Sequence, residues 1–422
     1  NNNNKNNNNN NKKAKQDSTT PRTTTQRRKE KAELVASVLT YADARGIPSH
    51  GSNRCDTYVN EIVAGLVEAD AEPIIEQESG CCAVIHGKNG LGAVTAKLAM
   101  DTALRLATHY GVSMVTCHSS NHYGAAGYWA QLALNQQMIG MSFTNTSPFA
   151  IPTGGRTRAV GTNPFCFFAP ATTTNTTTKN TNNNDNNHDH NHSDNYDNAA
   201  INTTTASIIN DSFQLDMATT AVPVGKVEVM DRIGEPVPSG WGVDEYGNDC
   251  TDPAIICQKG GLYPLGGAAV TAGYKGYGLG MFVEIMCSVV SCRDGNTNSN
   301  SSNIGPDVQS WNLSRKGPLS YGHCFIVIDP KRFGNSNSND GGFEQRLGAY
   351  LSRMRGLPGT VMVAGDPEKE FECDVAAHNG GIVLHKSVAI TLKALAVRLG
   401  NVTVPTELQQ LDENQARASL YE

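Results

Sequence analysis

Apolar residues recur along the chain at two alternating periods. Over 52–64 (SNRCDTYVNEIVA), Cys55, Tyr58, Val59, Ile62 and Val63 fall on one helical face, and Gly65 closes the run. Over 92–109, Val94, Leu98, Ala103, Leu106 and Ala107 repeat that spacing, and Gly111 follows as a stop. SMVTCH (113–118) predicts a strand. The segment after His122 predicts a helix with Ala126, Trp129 and Ala133 on one face, and MIGMSFTN (138–145) predicts a second strand. VGTNPFCFFAP (160–170), SFQLDMA (212–218) and HCFIVID (323–329) add further strands. Helix, strand, helix, strand with short links predicts an α/β sheet with parallel pairs.

Four segments interrupt this pattern. Residues 1–30 are Asn-rich and then Thr- and Lys/Arg-rich, and 171–211 is a Thr/Asn tract with an acidic, His-rich middle. Residues 293–304 and 334–341 are shorter polar runs. Too little apolar surface is available in them to offset the entropy of ordering, so they are expected as disordered loops. The expected organisation is an Asn-rich tail over 1–31 and one catalytic region over 32–417, interrupted at 171–211, 293–304 and 334–341.

Composition narrows the function classes. The formal net charge of −6 over 422 residues offers nothing to draw the chain to nucleic acid or to an anionic membrane. The 11 cysteines are scattered without a C-x-x-C pair, which fits a reducing compartment better than a disulfide framework or a zinc ribbon. The most apolar run, 277–292, is too short to span a bilayer and carries Glu284. The basic N-terminal stretch lacks the apolar residues of a signal or transit peptide, so a cytoplasmic location is expected.

Three stretches could carry chemistry. In SSNHYGAAGYWAQLAL (119–134), Ser120 or Asn121 is placed to cap a helix, with His122 in its first turn. There the helix dipole would keep the imidazole neutral, able to take a proton from an alcohol and return it to a carbonyl. The next strand ends in TNTSP (144–148). If the two strands are parallel neighbours, both loops open on the ligand-binding edge of the sheet; a simple capping loop is the alternative. In RGIPSHGSNRCDTY (45–58), His50, Arg54 and Tyr58 are spaced i, i+4, i+8, and Arg54 is suited to grip a carboxylate, unless this is an ordinary solvated face. In GYKGYGLGMFVEIM (273–286), Lys275 precedes an apolar helix and could hold an anion; glycines that ease helix packing are the other explanation. HDHNH (188–192) lies in a low-complexity tract where ordering would oppose ligation, so no metal site is expected. Neither a P-loop nor G-x-G-x-x-G is present.

Ten blocks in order resemble the malate/L-lactate dehydrogenase family of the second type: ADARGIPSHGSNRCDTYV, NGLGAV, SSNHYGAAGYWA, MSFTNTSPFAIPT, GTNPF, LDMATTAVPVGKVE, PLGG, GYKGYGLGMFVEI, GHCFIVIDP and AGDPE. The resemblance implies an L-sulfolactate dehydrogenase-like three-layer α/β fold with a mixed sheet, distinct from the Rossmann fold. It implies hydride transfer between NAD or NADP and a small 2-hydroxy or 2-oxo acid, L-malate or L-lactate foremost, by a homodimer. Carried onto this chain, the family's acid/base is His122, its substrate contacts are His50 and Arg54, and its cofactor contacts are Thr146, Asp216, Met217, Ala218 and Lys275. Two departures stand out: an Asn-rich stretch where the family has an additional N-terminal helix, and the long insert at 171–211. They leave open a catalytically silent homologue kept as a binding protein; a cyclic imino-acid reductase of the same family is the other alternative.

Overall fold

In the computed structural model, residues 23–180, 202–291, 304–311, 313–334, 342–377, 381–400 and 402–403 are described. In chain order they form α1 (Thr24–Ala44), α2 (Cys55–Val63), β1 (Ile74–Ser79), β2 (Cys82–His86), α3 (Gly92–Tyr110), β3 (Val112–Ser120), α4 (Ala126–Leu134), β4 (Ile139–Thr144), β5 (Phe165–Asn180) and β6 (Asn202–Met217). Next come α5 (Val224–Ile233), β7 (Gly242–Val243), β8 (Asp249–Cys250), α6 (Pro253–Gln258), β9 (Gly261–Leu262) and α7 (Gly273–Glu284). The remainder is β10 (Tyr321–Ile328), α8 (Gly342–Arg355), α9 (Asp366–Ala377) and α10 (Lys386–Leu399).

Seven strands make one mixed sheet in the order β1-β2-β3-β10-β4-β5-β6. Among the described strands of this sheet, only β2 and β3 are parallel neighbours; the other pairs are antiparallel. The expectation that β3 and β4 adjoin is therefore corrected. The apolar strand β10 inserts between them, antiparallel to both. Since β3 and β4 then run the same way one strand apart, the loops after them still open on one edge.

The two sheet faces are covered differently. On one, the small-residue face of α3 (Ala96, Ala99, Ala103, Ala107) and Trp129 of α4 pack on Ile85, Val115, Phe168 and Phe325. Small side chains bring α3 so close that a Cβ on Gly92 would overlap the carbonyl oxygens of Asn121 and His122. On the other, Val283 of α7 and Cys287 of the single π-helical turn that follows pack on Phe143 and Cys324. A smaller lobe sets α5, α6 and the sheet β8-β7-β9 around Val227, Ile256 and Leu262.

Two boundaries differ from the expected organisation. α1 begins at Thr24, where Thr23 and Gln26 form a reciprocal capping box, so the division at 31/32 falls inside a helix. Buried Lys31 anchors that helix through the carbonyl oxygens of Ala69 and Ala71. β5 and β6 pair in register from Phe165↔Met217 to Asn180↔Asn202, so both ends of the 171–211 tract are strand. The rest of that tract, 181–201 with HDHNH, lies outside the described residues, as do 1–22, 292–303 and 335–341.

Candidate active site

Asp43, buried at the end of α1, shapes the first half of the site. Its carboxylate accepts the Ser52 backbone N–H at 2.8 Å and the Ser52 hydroxyl. A Cβ on Gly51 would overlap that carboxylate, so the turn requires glycine. The chain is thereby bent into two short 3₁₀ turns, Pro48–His50 and Ser52–Arg54, before α2 begins. His50, Arg54 and Tyr58 consequently do not lie along one continuous helix, yet they converge.

His122 is where they meet. The Tyr58 hydroxyl lies 2.7 Å from His122 Nδ1. The His50 ring is 5.5 Å away and near-parallel, and the Trp311 indole stacks at 4.3 Å. The Arg54 guanidinium stands 5.2 Å over that indole while its Nε donates to the Ser49 carbonyl at 2.7 Å. Among the described residues, the remaining guanidinium nitrogens have only Glu228, at 3.9 Å, as an ionic partner, leaving most of the fork available to an anion. Trp311 is fixed in turn: its indole N–H donates to Glu61 at 2.9 Å, and Glu61 forms a buried pair with Arg315 at 2.6 Å.

The helix α4 starts at Ala126, with Ala125 as N-cap, so His122 lies in the preceding loop and not in the first helical turn. That start is set from another strand: Asp216 at the end of β6 accepts the Gly127 N–H at 2.8 Å. Burial raises the Asp216 carboxyl to about 6. The helix dipole is therefore not what keeps His122 neutral. Burial pushes its pKa well below the usual imidazole range, helped by repulsion from His50, whenever that ring is protonated, and from the Arg54 charge. The same burial, with Arg54 beside it, lowers His50 to about 4; burial also raises the Tyr58 hydroxyl, against the opposing pull of Arg54.

Glu284, buried at the end of α7, organises the second loop. Its carboxylate accepts Asn163 Nδ2 at 2.9 Å, Asn145 Nδ2 at 3.2 Å and the Gly305 N–H at 3.3 Å. Asn163 Oδ1 then accepts the Thr146 N–H at 3.0 Å, which ties Thr146 to the sheet edge. Lys275 is exposed in the first turn of α7, about 13 Å along the helix from Glu284. The structure thus gathers His50, Arg54, Tyr58, His122 and Trp311 into one cluster. Lys275 stands apart from it, Asp216 is committed to α4, and Met217 and Ala218 follow Asp216 half-buried. Trp311, Glu61 and the Glu284 hub carried no local sequence signal: Trp311–Glu61, Asn145–Glu284 and Asn163–Glu284 each join residues more than a hundred positions apart. Among the described residues, no group of three His, Cys, Asp or Glu could hold a metal, and no helix is long and apolar enough to cross a membrane.

The profile of the malate/L-lactate dehydrogenase family matches residues 21–178 and 203–393. A malate dehydrogenase of Pyrococcus horikoshii is 36% identical over 376 residues, which span 88% of this chain and 90% of that protein. An NAD(+) ureidoglycolate dehydrogenase of Escherichia coli K12 is 30% identical over 78% of each chain. The crystallised sulfolactate dehydrogenase of Methanocaldococcus jannaschii superposes with a TM-score of 0.68 at 27% identity, covering 89% of this chain and 92% of that one.

A histidine whose folded-state pKa is depressed binds its proton in the unfolded chain first. His50 therefore costs stability as pH falls from about 6.5 toward its folded value of about 4. Urea unfolding midpoints are expected to decline across that window, and less steeply in His50→Gln. Identical slopes in the two proteins would contradict the assignment.

Proposed function

This chain belongs to the malate/L-lactate dehydrogenase family and is a 2-hydroxyacid dehydrogenase working with a nicotinamide cofactor, and we propose that it interconverts a small 2-hydroxy acid, L-malate or L-lactate, with its 2-oxo acid. The observation that carries this reading is a neutral, partly buried imidazole with Tyr58 on one nitrogen and the Arg54 fork beside it.

In the reduction direction, Arg54 holds the substrate carboxylate through two parallel hydrogen bonds. His50 steadies its orientation. The Arg54 charge is one cause of the low basicity of His122. A carboxylate seated on Arg54 cancels that charge, so substrate binding itself makes His122 easier to protonate. The Tyr58 hydroxyl can donate to Nδ1 of the neutral ring and accept from Nδ1–H of the protonated one. His122 then gives its Nε2 proton to the substrate oxygen, and oxidation retraces these steps. The bound nicotinamide supplies the hydride that reduces C2.

The residues present fit such a cofactor. Asn53 Oδ1 and Asn121 Oδ1, neighbours in sequence of Arg54 and His122, are buried without a hydrogen-bond partner and can take amide donors. Lys275 offers a cation at the start of α7, suited to phosphate. Thr146, Met217, Ala218 and Lys275 line the cofactor site in this reading, and Asp216 serves it by fixing α4.

The working form is a homodimer. Along α7 and the turn after it, Phe282, Ile285, Val289 and Val290 are 38%, 47%, 52% and 50% exposed, an apolar face that a second copy would cover. Light scattering on the purified protein is expected to give twice the chain mass; a monomer at micromolar concentration would contradict the dimer.

Nicotinamide absorbance, followed with NADH or NADPH and a panel of 2-oxo acids, tests the reaction. Oxidation with oxaloacetate or pyruvate is the expected result. Oxidation with a cyclic imino acid alone would move the assignment to imine reduction, and none with any substrate would remove it.

A further inference from the structure

We propose that His323 is a positioning residue that locks the loop bearing His122 and the loop bearing Thr146 into one fixed spacing. The kinetic consequences rest on the reaction proposed above; the geometry does not. His323 lies near the start of β10, the strand between β3 and β4, in register with Cys117 on one side and Thr144 on the other. Its Nε2 is 2.8 Å from the Ser120 hydroxyl, and its Nδ1 is 2.8 Å from the Thr144 hydroxyl. Ser120 ends β3 two residues before His122, and Thr144 ends β4 two residues before Thr146. One imidazole therefore bridges the two points at which the chain leaves the sheet.

The bridge is rigid. His323 is fully buried, and its ring stacks on Tyr123, the residue after His122, at 4.6 Å and 7°. The Tyr123 hydroxyl is itself 2.9 Å from Ser142 Oγ on β4. The Thr144 hydroxyl has one hydrogen, shared toward the carbonyl oxygens of Asn145 and Gly322 at 3.0 Å each, so it accepts from His323 Nδ1–H. The Ser120 hydroxyl sits on Nε2, and a backbone hydrogen bond with Asn121 also reaches the ring. Burial pushes the His323 pKa down to about 3, so the ring is neutral at physiological pH. With both nitrogens occupied by hydroxyls that end strands, the ring has no part in moving protons. Its effect is on distance: hydride and proton must reach adjacent atoms of one carbonyl, and a misplacement of about 1 Å costs about 10²-fold in rate.

His323→Phe keeps the aromatic stack on Tyr123 and removes both tethers. Hydrogen exchange is expected to speed up at the amides of 120–124 and 145–147, in a protein of otherwise native exchange. Turnover is expected to fall about 10²-fold, with a larger isotope effect from deuterated nicotinamide; simple loss of folded enzyme would leave that ratio unchanged. A folded variant with native loop exchange and native turnover would overturn the proposal. Should the Phe variant not fold, Ser120→Ala and Thr144→Val each cut one tether. Their combination is expected to cost no more than the worse single change, because either cut breaks the bridge, whereas additive losses would overturn it. A wild-type protein inactive on every acid would count against the reaction alone, since the exchange measurement reads the bridge without turnover.

Discussion

A carboxylate withdrawn from water must be surrounded by donors or it destabilises whatever holds it. Four such groups set the geometry of the sheet edge. Asp43 gathers the Ser52 turn and so places His50 and Arg54. Glu61 takes the Trp311 indole and Arg315, bringing the segment before β10 onto α2. Asp216 reaches from β6 to the start of α4 and fixes where the His122 loop ends. Glu284 collects Asn145, Asn163 and Gly305, drawing three loops onto the end of α7. The Asp43, Glu61 and Glu284 pairings join an element of the scaffold to a segment with little regular structure, and each of the four carboxyl groups would lose its donors if its partner moved.

The same withdrawal from water gives the site its chemistry. An imidazole in bulk water titrates near 6.5, but His122 is held neutral by its surroundings and by the Arg54 charge. The apolar wall made by Val35, Val38, Val67 and Leu91 around Tyr58 and His122 supplies that environment. In the proposed reaction an anionic substrate would pair with Arg54, and its arrival would raise the basicity of His122, coupling binding to proton readiness through a single cation.

Much of this was legible in the sequence, and the limits follow one rule. Helical and strand periods placed α2, α3, β3 and β4, and the continuous apolar run of β10 marked a strand buried on both faces. His122, His50 and Arg54 stood out because their neighbours were turn-formers beside a strand end or a helix start. What failed was non-local. Nothing in 113–145 announces that a strand near residue 325 will enter between β3 and β4. The start of α4 was misplaced because its capping carboxylate comes from residue 216, not from the preceding Ser or Asn. Tyr58 was seen on the right face but without a role, since its partner lies 64 residues away. The threonine tract read as a loop from composition, although its ends pair as strands.

The sharpest check of this account is to follow turnover and cofactor binding together in His122→Ala. Nicotinamide fluorescence should report cofactor affinity close to that of the parent protein, because the ring's hydrogen-bonding and stacking partners include Tyr58, His50 and Trp311, none of them assigned to the cofactor. Turnover should fall by about 10² to 10⁴-fold, the usual contribution of a positioned acid/base group. Undiminished turnover with native cofactor binding would contradict the assignment of the proton to His122 and with it the reading of the whole edge.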